Sequence, residues 1–189
     1  MPDRNVKTLR HLIWYQYAKI IARSALGPNA KKDHYGFVKQ TLKDLMAGRK
    51  TWSDIAREDK QLVEAEKKCV YCGSETDLAW EHVVPKSLHI NDRCGACDAI
   101  QAIHNQVWSC KSCNSQKGTM GLYSFYQKRL SSDPKFYDRI PSLVEKKYLK
   151  TVYECLEKCT DCMDSASFAN GRQPTVLDID QTLCVYGHL

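Results

Sequence analysis

Cysteine spacing is the feature that most limits how this chain can fold. Of its 10 cysteines, eight stand in four Cys-x-x-Cys pairs: Cys69/Cys72, Cys94/Cys97, Cys110/Cys113 and Cys159/Cys162. Two thiolates at this spacing can turn onto one ion, and two such pairs can pin distant stretches of chain to a shared point. Cys69-Val-Tyr-Cys72 is followed by Gly73, which allows the tight turn a metal knuckle needs. Cys110-Lys-Ser-Cys113 is its natural partner. Together Cys69, Cys72, Cys110 and Cys113 predict a tetrahedral zinc site, closed and therefore structural. Buried free thiols are the plain alternative. Cys94, Cys97, Cys159 and Cys162 admit two readings. They can form a second four-cysteine zinc site, or Cys155, Cys159 and Cys162 can be a helical core stripe, since buried cysteine behaves as a small apolar side chain.

The 189 residues suffice for one domain, or one core with helical additions. No apolar run approaches the length of a membrane span. The polar N-terminus lacks the apolar core and cleavage site of a secretory signal, so a cytoplasmic location is expected. The net charge of +6 is unevenly spread. Residues 1–68 carry 15 basic and 8 acidic side chains, residues 69–108 carry 2 and 5, and residues 109–150 carry 9 and 3. Basic flanks suit a polyanion and an acidic centre suits a cation, although a solvated basic surface accounts for the charge equally well.

Helical periodicity predicts helices over 5–26, 35–48, about 51–68, 122–130 and 142–159. Residues 69–118 change character, being rich in Cys, Gly, Ser and Asn. Short strands are expected at Leu78–Val84 and Gln106–Ser109, with a helix entered at Asn114. The stretch 165–189 shows no clear pattern. The expected units are a basic helical segment (1–68), a cysteine-stapled core (69–121) and a helical segment (122–189).

Between the two strong cysteine pairs lie Glu81-His82-Val83-Val84-Pro85 and Asn105, and Cys113 is followed by Asn114-Ser115-Gln116-Lys117-Gly118. In this order these elements resemble the HNH, or ββα-metal, nucleases, in their zinc-stapled form. The resemblance covers about a quarter of the chain. It implies an α+β fold with a ββα-metal core embedded in helical segments. It also implies the site roles. His82 is the general base, which imidazole suits because its unperturbed pKa lies near neutrality. Glu81 and Asn114 are ligands of a single divalent ion. Asn105, nine positions before Asn114, holds the loop that orients the base. Many members have histidine where this chain has Asn114; an amide oxygen favours a hard ion, hence Mg²⁺ or Mn²⁺. Lys117 matches a basic position that contacts phosphate.

A phosphodiester resists attack because it is anionic. A cation between Glu81 and Asn114 would neutralise a non-bridging oxygen while His82 activates water, giving a 5′-phosphate and a 3′-hydroxyl. The expected partner is DNA, double-stranded, with Lys128 and Arg129 available to its backbone. Cutting both strands would require a homodimer or two encounters. The chain between His82 and Asn105 is longer than the family's short Gly-rich connection, and holds Cys94 and Cys97. A zinc-dependent DNA-binding module without catalysis is the rival reading. A thiol redox protein would need a thioredoxin-like βαβ context, which the flanking sequence lacks.

Overall fold

The computed structural model describes residues 5–27, 31–52, 67–88, 97–157, 160–164, 172 and 174–186. The chain is α+β and mostly helical, with one two-stranded sheet among the described residues. Helix α1, Leu9–Leu26, starts where the Thr8 side chain accepts a hydrogen bond from the His11 amide at 3.2 Å. It stops at Gly27, whose φ of 76° suits a residue without Cβ. Leu12, Ile13, Tyr17 and Ala18 have no exposed surface, which makes α1 a central core helix. Full burial of each of the larger apolar chains is worth about 1.5–3 kcal/mol. Helix α2, Lys31–Met46, packs on α1 and buries Val38, Leu42 and Leu45. The helix expected over 51–68 falls mostly on 53–66, outside the described residues. Trp52 is described, and packs its ring at a tilt against Trp14 and Tyr17 and edge-on against Tyr153.

Strand β1, Leu78–His82, pairs antiparallel with β2, Gln106–Cys110, with Glu81 opposite Val107 and His82 opposite Gln106. Alternation along the strands separates two faces. Glu81, Val107 and Ser109 point into the protein, whereas Trp80 stays exposed. The strand ends at His82, two residues earlier than periodicity predicts. Val83 and Val84 leave the ladder and are buried as loop residues. Helix α3, Lys111–Lys117, follows β2 directly and begins at Lys111 rather than Asn114.

Among the described residues, five helices follow α3, and four of them come before the stretch without sequence pattern. These four are α4 (Leu122–Leu130), α5 (Phe136–Arg139), α6 (Ser142–Leu156) and α7 (Thr160–Met163). The stretch without sequence pattern contains one more, α8 (Leu177–Tyr186). Its Asp180 carboxylate accepts hydrogen bonds from the Ser124 amide and the Tyr148 hydroxyl, each at 2.6 Å. Asp180 thereby caps α4, a task that Gly121, the N-cap residue, has no side chain to perform. The fit leaves no room for one, since a Cβ on Gly121 would lie 2.3 Å from the Asp180 carboxyl carbon. A single hydrophobic cluster runs from α1 through Val83, Val84 and Val107 to α6. The helices therefore hold the sheet's inner face fixed, and with it the residues around His82. Among the described residues, no helix is long and apolar enough to cross a membrane.

Candidate metal centre and adjoining groove

The ligand atoms of Cys69, Cys72, Cys110 and Cys113 all lie within 4.8 Å of one another. Local backbone explains the convergence. The Gly73 amide bonds the Cys69 carbonyl at 2.8 Å, and the Cys69 amide bonds the Ser74 carbonyl at 2.8 Å, closing a knuckle that Gly73 permits with φ 78°. The Val70 amide donates to Trp108 in β2 at 3.0 Å, docking that knuckle on the sheet. The second pair spans the junction of β2 and α3, where the Cys110 sulfur accepts from the Cys113 amide at 3.5 Å. Burial opposes a Cys69 thiolate, yet amides of Cys110, Cys72 and Tyr71 pull its thiol down to about 7. Burial pushes the Cys72 and Cys113 thiols up, and crowding against the Cys69 thiolate raises Cys113 further. A cation at the centre would offset that crowding, and four sulfurs are the donor set of structural zinc sites.

The second candidate cluster is arranged differently. Cys97 is joined to Cys155 by a disulfide, and Cys162 is also disulfide-bonded. A disulfide sulfur is not a thiolate ligand, so Cys97 and Cys162 offer none here. Cys94 and Cys159 lie outside the described residues. Cys155, which the spacing argument assigned to no pair, is the partner that Cys97 takes. It sits on α6, so the bond ties the turn before Asn105 to that helix.

Beside the knuckle, an open groove of about 410 Å³ is lined by Trp80, Glu81, His82, Lys86, Asn114 and Thr119, among others. Glu81 and His82 leave the strand on opposite faces, but the strand ends at His82 and both contribute to this one wall. Asn105, fully buried, holds the loop beyond. Its Oδ1 accepts from the Val84 amide at 2.8 Å, and its Nδ2 donates to the carbonyls of Val84 and Ile100, each at 2.9 Å. Its own carbonyl accepts from the Val83 amide at 2.8 Å. The two residues after His82 are thus clamped to the residue before β2.

Half-buried His82 is held below its ordinary pKa, first by burial and then by the ammonium groups of Lys86 and Lys117. This bias favours the neutral imidazole, the form that has a free nitrogen to accept a proton. Gln106, opposite it in the ladder, brings its amide nitrogen to 3.5 Å from Nε2. Sequence reasoning missed Gln106, although its place next to Asn105 at the mouth of β2 is a usable signal.

Lys117 does not stand where a phosphate contact requires. It is 1% exposed, pairs with Glu81 at 3.0 Å and donates to the His82 carbonyl at 3.2 Å. Its sequence position three residues after Asn114 turns it inward beneath the sheet. Glu81 Oε1 also lies 3.4 Å from the Tyr71 hydroxyl, while Glu81 Oε2 is buried without a hydrogen-bond partner. Lys128 is exposed on α4, and Arg129 is half-buried, bonded to Gln116 and resting on the Phe136 ring.

No protein-family model matches this chain, and neither a curated protein nor a solved structure matches it. What the residues can do must follow from their placement. The arrangement offers a metal-competent four-cysteine cluster. Beside it stand a biased imidazole and a carboxylate oxygen lacking a partner. Asn114 on α3 lines the same groove as Glu81 and His82.

Proposed function

We propose that this protein is a metal-dependent DNA endonuclease with a zinc-stapled ββα-metal core. The observation that carries the reading is that Glu81, His82 and Asn114 line one groove while Asn105 clamps the loop behind His82. The order of two antiparallel strands followed directly by a short helix supports it, as does the four-cysteine cluster at the sheet's edge.

The donor set fits a divalent cation. Glu81 Oε2 is a buried oxygen with no hydrogen bond, and Asn114 on α3, which lines the same groove, would offer an amide oxygen. Mg²⁺ or Mn²⁺ held by this pair supplies Lewis-acid stabilisation of charge on the phosphate. The chain's own residues do the remainder. His82, neutral at pH 7 because burial and two ammonium groups hold its pKa down, takes the proton of the attacking water. Asn105 keeps the backbone after His82 from swinging out of the groove. Lys117 supplies countercharge to Glu81 Oε1 from inside the protein, so its role is to position the carboxylate. Exposed Lys86 on the groove wall and Lys128 on α4 offer cations to the DNA backbone.

The rival, a zinc-dependent DNA-binding module without catalysis, draws on the same Glu81–Lys117 pair, which already occupies one carboxylate oxygen. One experiment separates them. Purified protein should nick plasmid DNA only when Mg²⁺ or Mn²⁺ is added. His82→Ala should lower the rate by about 10²–10⁴-fold, the usual contribution of a general base, with bound zinc unchanged. Cutting by His82→Ala at the wild-type rate, or no cutting with either metal, would sink the nuclease reading.

A further inference from the structure

Trp80 and Trp108 face each other across the sheet, stacked with centroids 4.0 Å apart and planes 23° from parallel. The Lys67 ammonium lies over the Trp108 ring, 5.1 Å from its centroid. Two rings 4.0 Å apart leave no space for an ammonium between them, so Lys67 covers the far face of Trp108. The order is therefore Lys67, Trp108, Trp80, and Trp80 is itself one of the residues lining the groove. Among the described residues, Trp80 meets no other ring or cation, and it is 40% exposed. Cross-strand aromatic pairing stabilises an antiparallel strand pair by roughly 0.2–1 kcal/mol. That accounts for the pair, but not for leaving a large apolar ring open on the wall of a polar groove.

Position gives the open ring a use. Trp80 and His82 are two residues apart on β1, so they share the outer face of the sheet. Both line the groove, together with Lys86 and Asn114. We propose that Trp80 is a stacking subsite for an unpaired DNA base adjacent to the phosphate that His82 addresses. Every base has a flat π-face, and an aromatic platform next to a cation binds single-stranded nucleic acid in this way. A base within a duplex has both faces covered by its neighbours, so only an unpaired, terminal or extruded base can continue the stack. The subsite thus selects unpaired or distorted DNA over continuous duplex. The location relative to cleavage rests on the endonuclease reading, whereas the stacking itself does not.

The test is binding of a short labelled single-stranded DNA oligonucleotide, followed by anisotropy without added divalent metal so that nothing is cut. Trp80→Leu should weaken single-strand binding about tenfold, equivalent to about 1.4 kcal/mol, while duplex binding stays within about twofold. Trp80→Phe, which keeps a ring, should retain most of the affinity. If Trp80→Leu binds the single strand like the wild type, or loses single strand and duplex equally, the subsite does not exist. Should Trp80→Leu fail to fold, the wild type is offered an oligonucleotide of abasic nucleotides of equal length. The same tenfold loss is expected there, and unchanged binding overturns the proposal. Failure of the plasmid assay with this binding pattern intact removes the nuclease reading alone. Plasmid cleavage without the pattern removes this one alone.

Discussion

Asn105 offers the sharpest test of how the groove is held. Its side chain is fully buried and makes three hydrogen bonds: one accepted from the Val84 amide at 2.8 Å, and two donated to Val84 and Ile100 carbonyls at 2.9 Å. Asn105→Ala removes all three partners at once and admits no compensating side chain. A buried backbone group left unsatisfied costs roughly 1–3 kcal/mol. Taking the low end for each freed group, the variant should lose about 3 kcal/mol. For a chain of this size, 1 kcal/mol moves the midpoint by about 2–4 °C, so Tm should fall by roughly 6–12 °C. Asn105→Asp separates the terms, since it keeps the acceptor for the Val84 amide but sets a carboxylate against two carbonyl oxygens. It should therefore be no more stable than Asn105→Ala, despite its matching shape. The assay is thermal and urea unfolding of both variants, with bound zinc measured alongside. A loss under about 1 kcal/mol for Asn105→Ala, or a wild-type Tm for Asn105→Asp, would show that the loop after His82 is held by something else.

Three other substitutions probe the rest of the framework. Lys117→Met leaves the Glu81 carboxylate buried without its cation and should cost about 3–5 kcal/mol, much of it recovered in the Glu81→Gln/Lys117→Met double variant. Strictly additive losses in urea unfolding would contradict a coupled pair. Cys113→Ser should abolish bound zinc and lower Tm, and added zinc should no longer raise it, as read by metal analysis and thermal melts. Burial raises the Asp180 carboxyl above its ordinary 3.8 despite the Tyr148 and Ser124 donors. A group raised in the folded state contributes stability below its unfolded pKa and loses it as pH climbs through the folded one. The Tm of Asp180→Asn minus that of the wild type should therefore grow as pH rises from about 4 to 7. A pH-independent difference would refute the burial argument.

The cysteine spacing and the order Glu81, His82, Asn105, Asn114 were legible in the chain because they are short-range constraints. A Cys-x-x-Cys turn closes within its own few residues, and Gly73 shows the turn it must make. The core helices were legible for a similar reason, since a 3.6-residue period needs no knowledge of the partner. Other features depend on which surfaces meet. Lys117 reads as a solvent-facing cation until α3 is laid under β1, when its reach delivers it to Glu81. Asp180 looks like one acid in a patternless tail. It becomes a helix cap only because α8 docks against a glycine that has no Cβ to block it. Cys97 finds Cys155 rather than a thiol at knuckle spacing, because α6 passes the turn before Asn105. The end of β1 at His82 is set by Asn105, which draws Val83 and Val84 off the ladder and into its own hydrogen bonds. The sequence by itself determined which groups were available for chemistry and which four cysteines converge. The tertiary structure alone decided which of them face the groove and which are buried as counterions, caps and clamps. Burial and pairing are properties of contacts between elements, and such contacts leave no period along the chain.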